Sequence, residues 1–559
     1  MSSPYASRFW LKSYNWKTPH TINYPKTPAY YILRDACVFR PDMAAIDFYG
    51  AEITFNELYH KVTRFANVLV EQGIKKGDRV GILLPNCPQF VIAYWGILMA
   101  GAIVVNLNPL YTPAELKFHF EDSGLNGLLT YDALVPVVKP LCEELNISTV
   151  FVTKLADFMP NTTVSTLEEI GAPDGWLHFS QVLETDRIWA PPRVDIKHDD
   201  PAVIQYTGGT TGVPKGAVLT QYVITAASMQ VVNWCIEMVE KEPKEIQRVL
   251  CVLPFSHIYG EICCICYGAF AQMTQVILPR FLPDEVFDTL ARFDQWAYWP
   301  AVPTMLQALF YNPRVNEFDW HRKFVYCGTG AAPAPLPLIE KCRDYDFNFY
   351  EGYGMSETAA MAVSTPGGRP KPGSIGVPFI DMDVRIVDEN GNDVPVGEIG
   401  EIWMKGATVM KEYWNKPEET KAVFSEDGWL KSGDVAYMDE EGYIFIVDRT
   451  KDMIIAGGFN IYPRDIDEVL MKHPAVADAM AIGVPDEYRG ETVKAFVALK
   501  PGATATPEEL IDFCREKLAA YKVPRLIEFK SELPRTATGK ALRRILREEE
   551  LAKQQSKKE

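Results

Sequence analysis

Apolar positions along the first third of the chain alternate between two periods. After Thr54-Phe55-Asn56-Glu57, residues Leu58, Val62, Phe65 and Leu69 fall on one helical stripe. Thr54 and Glu57 have the spacing of a capping box that starts this helix, and Gly73 closes it. RVGILLP, Arg79 to Pro85, is then a nearly continuous apolar run, as expected of a strand covered on both faces. A second helix leads to the strand AIVVN, Ala102 to Asn106. Thr112-Pro113-Ala114-Glu115 repeats the capping logic with proline at the first helical position, and Gly124 stops that helix before the strand LLTY. Such alternation predicts an α/β protein with a parallel sheet under helices.

From about Phe379 the texture changes. VRIVDENGNDVPVGEIGEIWMKG and GYIFIVD read as short strands joined by Asn-Gly and glycine-rich turns, a small β-rich subdomain. Beyond Asp448-Arg449 comes an α+β segment with a helix capped by Thr506-Pro507-Glu508-Glu509 and the charged helix ALRRILREEELAKQQ. The expected division is a large N-terminal domain, 1–448, and a small C-terminal domain, 449–559.

Length agrees with that division, since 559 residues exceed what one core organises. The balance of 56 basic against 73 acidic residues, net −17, excludes broad nucleic-acid or anionic-membrane binding, so an anionic ligand must be caught by a local site. The eleven cysteines form no repeating framework. Cys263, Cys264 and Cys266 in ICCICY sit in an apolar stretch without paired metal spacing, which reads as core. MSSPYASRFW lacks the pattern of a signal peptide, no apolar run has membrane length, and the final SKKE is no peroxisomal address. A reducing cytoplasm is the expected location.

The candidate local site is YTGGTTGVPKGA, Tyr206 to Ala217. Flexible backbone, free N–H groups, hydroxyls and one lysine suit a polyanion such as phosphate. It is not a Walker A loop, because Pro214 precedes Lys215 and Gly216 stands where a magnesium-binding hydroxyl belongs. CGTGAAP, Cys327 to Pro333, likewise fails as a dinucleotide fingerprint.

YTGGTTGVPKG instead resembles the phosphate loop of the AMP-forming adenylating enzymes: acyl-CoA synthetases, peptide-synthetase adenylation domains and luciferases. Six further stretches resemble that family's motifs in its order: PFSHIYG (254–260), YCGTGAAPAPL (326–336), EGYGMSET (351–358), GWLKSGD ending at Asp434, DRTKDMIIAGGFNIYP (448–463) and PRTATGKALRR with Lys540. VNLNPLYTPAEL, Val105 to Leu116, brings the resemblance nearest to fatty-acyl-CoA synthetases. There are departures: Gly208 stands where serine is common, Ser356 where threonine is, and Gln221 where histidine is frequent.

The resemblance implies a C-terminal domain that rotates between two half-reactions. A carboxylate attacks the α-phosphate of ATP, and the thiol of coenzyme A then displaces AMP. The nucleophile is already ionised, so positioning and charge neutralisation should carry the first step. Implied for ATP are Thr207, Gly208, Gly209, Thr210, Thr211, Gly212 and Lys215 at the phosphates. Ala331, Ala332, Glu351, Gly352, Tyr353, Gly354, Met355 and Ser356 are further implied for ATP, Tyr353 offering its face to adenine, with Asp434 and Arg449 at the ribose. Glu357, with Thr207, is implied at Mg²⁺, Lys540 at the α-phosphate and Lys451 at the hinge. Gly457, Gly458, Phe459, Tyr521 and Lys522 are implied for coenzyme A, and His257, Tyr259, Trp299, Cys327, Gly328 and Met355 for the acyl group. Glu261, four residues past His257, is awkward beside an aliphatic tunnel unless paired or turned away, which favours medium-chain, alicyclic or aromatic acids over long chains. The rivals are an adenylating enzyme that hands its acyl group to a carrier or another acceptor, and a non-catalytic nucleotide-binding scaffold.

Overall fold

The computed structural model describes residues 3–184, 190–207, 213–239, 247–449, 452–456, 459–486, 490–536 and 541–556. Two large sheets organise most of the chain. In the eight-stranded sheet, Pro201–Thr207, Ile103–Asn106, Arg79–Ile82, Gly127–Tyr131, Thr149–Thr153 and Leu177–His178 run parallel in that order. Lys215–Thr220 and Glu412–Tyr413 continue it antiparallel beyond Pro201–Thr207. The nine-stranded sheet has a parallel centre that includes Arg248–Cys251, Trp296–Ala301, Phe324–Thr329 and Tyr350–Tyr353. The strand expected over Arg79–Pro85 ends at Ile82, leaving Leu83 to Pro85 to lead into the next helix.

Helix Pro88–Met99 has all twelve residues buried. An all-round apolar helix of this kind belongs inside a core, and helix Phe55–Glu71 packs on it. Both expected capping boxes are present: the Glu57 and Glu115 amides donate to Thr54 and Thr112 hydroxyls, and each glutamate side chain accepts from the threonine amide in return.

Met382–Val387, Gly400–Gly406, Leu430–Met438 and Ile444–Arg449 form a four-stranded antiparallel sheet. An arm near the start of the chain lies across it. The Tyr5 hydroxyl donates to the Val394 carbonyl at 3.0 Å, Arg8 grips Asp383 through two nitrogens at 2.6 and 2.7 Å, and Lys12 reaches the Glu440 carbonyl. Trp10, 1% exposed, lies so close under Gly442 (φ +90°) that a Cβ there would stand 2.2 Å from the Trp10 Cβ. After Ile454 a five-stranded sheet, with helices Pro463–Leu470 and Pro507–Arg515, builds its own apolar clusters.

Candidate active site

The glycine-rich loop expected to hold phosphates joins two antiparallel strands, whose register sets Thr207 opposite Lys215. Gly208, Gly209, Thr210, Thr211 and Gly212 lie outside the described residues, as do Lys451, Gly457, Gly458 and Lys540. The base of the loop is anchored: the Tyr206 hydroxyl donates to Asp122 at 2.8 Å, and Lys416 pairs with the other Asp122 oxygen at 3.2 Å. Gln221 is structural here. Its side-chain oxygen accepts from the Ala29 amide at 2.9 Å.

The turn Ser356–Thr358, which carries Glu357, packs against both strands of this hairpin. Glu357 is 6% exposed, and its Oε1 accepts from the Tyr413 hydroxyl at 2.6 Å. Its approach depends on Gly354, where a Cβ would stand 1.8 Å from the Ala360 carbonyl oxygen. Ala331 takes φ +65°, an unusual left-handed conformation for a residue with a Cβ, and Ala332 follows it half-buried. Glu351 accepts from the Ala334 amide at 3.1 Å, and burial pushes its carboxyl up to about 7. Gly352 and Tyr353 end the same strand, with Met355 next in the turn. The Tyr353 hydroxyl donates to Asp434 at 2.5 Å, and Arg449 is the register partner of Asp434 on the neighbouring strand.

A cavity of only about 10 Å³ opens between helix Gln221–Val239 and the nine-stranded sheet. Tyr259 and Gly328 line it, together with Trp234, Tyr298, Tyr326 and Phe379. The structure separates Trp299 and Cys327 from this space. Side chains alternate along a strand, and the register pairs Tyr298 with Tyr326 but Trp299 with Cys327. The tyrosines face the cavity, and neither Trp299 nor Cys327 is in its lining. His257 and Met355 are not in the lining either; His257 caps the next helical turn by accepting from the Tyr259 amide.

Glu261 is fully buried within the π-helical stretch Glu261–Cys266 and does not face the cavity. Its oxygens accept from the Tyr94 hydroxyl at 2.8 Å and from the Asn106 amide, which also donates to Gln205 at 3.0 Å. Burial outweighs both donors and raises its carboxyl to about 7. The reason given above for favouring compact acids is thereby removed. In the C-terminal part, Tyr521 packs on the apolar cluster and Lys522 pairs with Asp465 at 2.5 Å; the Phe459 side chain is outside the described residues.

A family model described as AMP-binding enzyme matches residues 33–414, well over half the chain, and its C-terminal domain model matches 465–540. The chain belongs to the AMP-binding enzymes. The long-chain-fatty-acid–CoA ligase of Bacillus subtilis (strain 168) is 40% identical over 97% of this chain and 98% of its own length. The anthranilate CoA ligase solved with anthranoyl-AMP superposes with a TM-score of 0.84 at 26% identity, over 94% of this chain and 98% of its own. The o-succinylbenzoate CoA synthetase of Bacillus subtilis solved with ATP and magnesium gives 0.78 at 30% identity, over 93% and 99%. As an AMP-binding enzyme of this type, the protein is an AMP-forming acid–CoA ligase: it uses ATP, Mg²⁺ and coenzyme A and proceeds through an acyl-adenylate. Among the described residues no group of three or more His, Cys, Asp or Glu could hold a metal alone, and no helix is long and apolar enough to cross a membrane. A single carboxylate fits Mg²⁺, which binds through one or two carboxylates and completes its shell with substrate phosphates and water.

Tyr413, Asp122, Tyr298 and Tyr326 were not singled out from the sequence. Strand alternation could have put Tyr298 and Tyr326, which line the cavity, on one face of the sheet; nothing local marks Tyr413 or Asp122.

Proposed function

We propose that the acid is a fatty acid whose uncharged tail enters the space between helix Gln221–Val239 and the nine-stranded sheet. The observation that carries this reading is the lining, which contains no charged residue among those described. A second carboxylate on the substrate would be desolvated there without a partner, a penalty of several kcal/mol. The named activity of the Bacillus subtilis relative supports the same class. A space of about 10 Å³ has room for about one water, so an alkyl chain enters only when wall side chains turn; Trp234, held by a 3.2 Å bond from Nε1 to the Thr365 carbonyl, is the largest of them. A panel of acids, read as AMP and acyl-CoA formed, tests the reading. Straight-chain monocarboxylic acids should exceed α,ω-dicarboxylic acids of equal length in kcat/KM by ~10²-fold, the scale of one unpaired buried charge. Equal values would defeat it. Replacement of Trp234 by leucine should move the preference towards longer chains.

The remaining roles follow the family motifs. Thr207 to Lys215 hold the β- and γ-phosphates, Tyr353 offers its face to adenine, and Asp434 with Arg449 takes the ribose. Glu357 holds Mg²⁺, which when bound neutralises charge on the pyrophosphate leaving group. Residues 1–448 and 449–559 are the two domains, hinged at Lys451. Lys540 serves the α-phosphate in adenylation, whereas Gly457, Gly458, Phe459, Tyr521 and Lys522 serve coenzyme A. In single turnovers Lys540→Ala should slow adenylation by ~10²–10³-fold and spare thioester formation from supplied acyl-adenylate. Equal loss in both steps would exclude the alternating domain. Eleven free cysteines, ten of them buried, support a reducing, cytoplasmic location.

A further inference from the structure

Glu357 and Lys215 belong to different motifs, far apart along the chain, yet one side chain touches both. The Tyr413 hydroxyl donates to Glu357 Oε1 at 2.6 Å, while the Lys215 ammonium stands over the same ring, 5.3 Å from its centroid. Tyr413 is itself held from several sides. Its strand pairs with Lys215–Thr220, setting Tyr413 opposite Ala217. The Lys411 and Trp414 amides donate to the Val218 and Gly216 carbonyls, and the Tyr413 amide donates to the Thr420 hydroxyl. Three residues upstream, the Met410 amide donates to the backbone carbonyl of Glu357 at 2.7 Å. The segment 410–414 therefore fixes the Glu357 backbone, one Glu357 oxygen and the resting place of Lys215 together.

We propose, on the reading of Glu357 as the magnesium ligand, that Tyr413 is a positioning residue that aims the second Glu357 oxygen at the metal and parks Lys215 beside it. Oε1 is engaged by the phenol, and Oε2 has no hydrogen-bond partner among the described residues. A phenol keeps its proton throughout the working pH range, so the hydroxyl stays a donor. A ligand carboxylate oriented by such an outer hydrogen bond is already aimed when metal and phosphates arrive. The ring is a separate function from the hydroxyl, because only the ring faces the lysine.

The two functions separate in two variants. Tyr413→Phe keeps the ring, so affinity for metal-free ATP should stay within about twofold, while Mn²⁺ affinity in the presence of a non-hydrolysable ATP analogue, read by electron paramagnetic resonance, should fall ~10-fold or more. The Mg²⁺ concentration giving half-maximal pyrophosphate release should rise in parallel, with kcat at saturating Mg²⁺ largely recovered. Tyr413→Leu should add a loss of ~2–5-fold in metal-free ATP affinity, the scale of one cation–π contact. Glu357→Gln is titrated beside them. If it loses Mn²⁺ and Tyr413→Phe does not, the positioning role is wrong and the ligand assignment stands. If Glu357→Gln binds Mn²⁺ like the parent, the ligand assignment falls and this role with it. A Tyr413→Phe enzyme that loses kcat at every Mg²⁺ concentration with unchanged Mn²⁺ affinity also overturns the role, since its tyrosine would only have been structural.

Discussion

Glu357 and Glu261 are both buried glutamates that accept from a tyrosine hydroxyl, Tyr413 at 2.6 Å and Tyr94 at 2.8 Å. One lies in the turn packed against the strands of the glycine-rich hairpin and the other in the π-helical stretch Glu261–Cys266. At Glu261 the protein takes both oxygens, giving the second to Asn106, and through Asn106 and Gln205 it ties the π-helical stretch to the phosphate strand. At Glu357 it takes one, and the other is the oxygen proposed to turn toward the metal. Burial of an acid therefore does not by itself mark a binding group; the oxygen left over does. The same chemistry serves as internal fastening in one place and, on the proposed reading, as a half-built metal shell in the other.

The sharpest way to break this contrast is to remove the charge at each glutamate. Glu357→Gln should lower the single-turnover rate of pyrophosphate release by ~10²–10³-fold, as for loss of one charge-stabilising group, with the melting temperature nearly unchanged. A rate close to the parent at limiting Mg²⁺ would place the metal elsewhere. Glu261→Gln should act on stability instead. Its folded carboxyl titrates near 7, raised from 4.5, so between those values the folded protein holds a proton that the unfolded chain has released. That contribution is complete below 4.5 and is lost as pH rises through 7, about 3 kcal/mol at most. Urea unfolding from pH 4.5 to 8 should therefore slope less steeply downward in Glu261→Gln. Identical slopes would show that the carboxyl is not buried as described. The mildest comparison is Glu115, an exposed acid bonded to the Thr112 hydroxyl at 2.8 Å. Thr112→Ala should cost about 1 kcal/mol, the usual value of a helix cap, with no change in either half-reaction. A loss of adenylation there would mean that this helix is coupled to the phosphate loop.

What could be read from the sequence was local or came with a motif. The capping boxes at Thr54 and Thr112 and the strands around Val80 and Val104 follow from spacing within a few residues, and the structure shows each of them. ICCICY was legible as core, since all three cysteines are buried, although its π-helical winding was not. The contacts that define the site escaped because they are made across the chain. Tyr353 meets Asp434 81 positions on, Tyr206 meets Asp122 84 positions back, and Tyr413 meets Glu357 56 positions back. Trp299 and Cys327, expected at the acyl group, fall out of register with Tyr298 and Tyr326 and are absent from the lining of the small cavity, as the two-residue period of a strand requires.

The arm that carries Trp10 has a consequence in time. Arg8 and Asp383 are 375 positions apart, and Lys12 and Glu440 are 428 apart. At translation rates of ~5–20 residues per second, the arm waits roughly 20–80 s for the sheet it lies on to be made. Until then the ring of Trp10, buried in the finished protein against Gly442, has no seat. An early-made stretch of the nascent chain is thereby among the last to lock, and the four-stranded sheet that carries Asp434 is clasped only once synthesis has passed it.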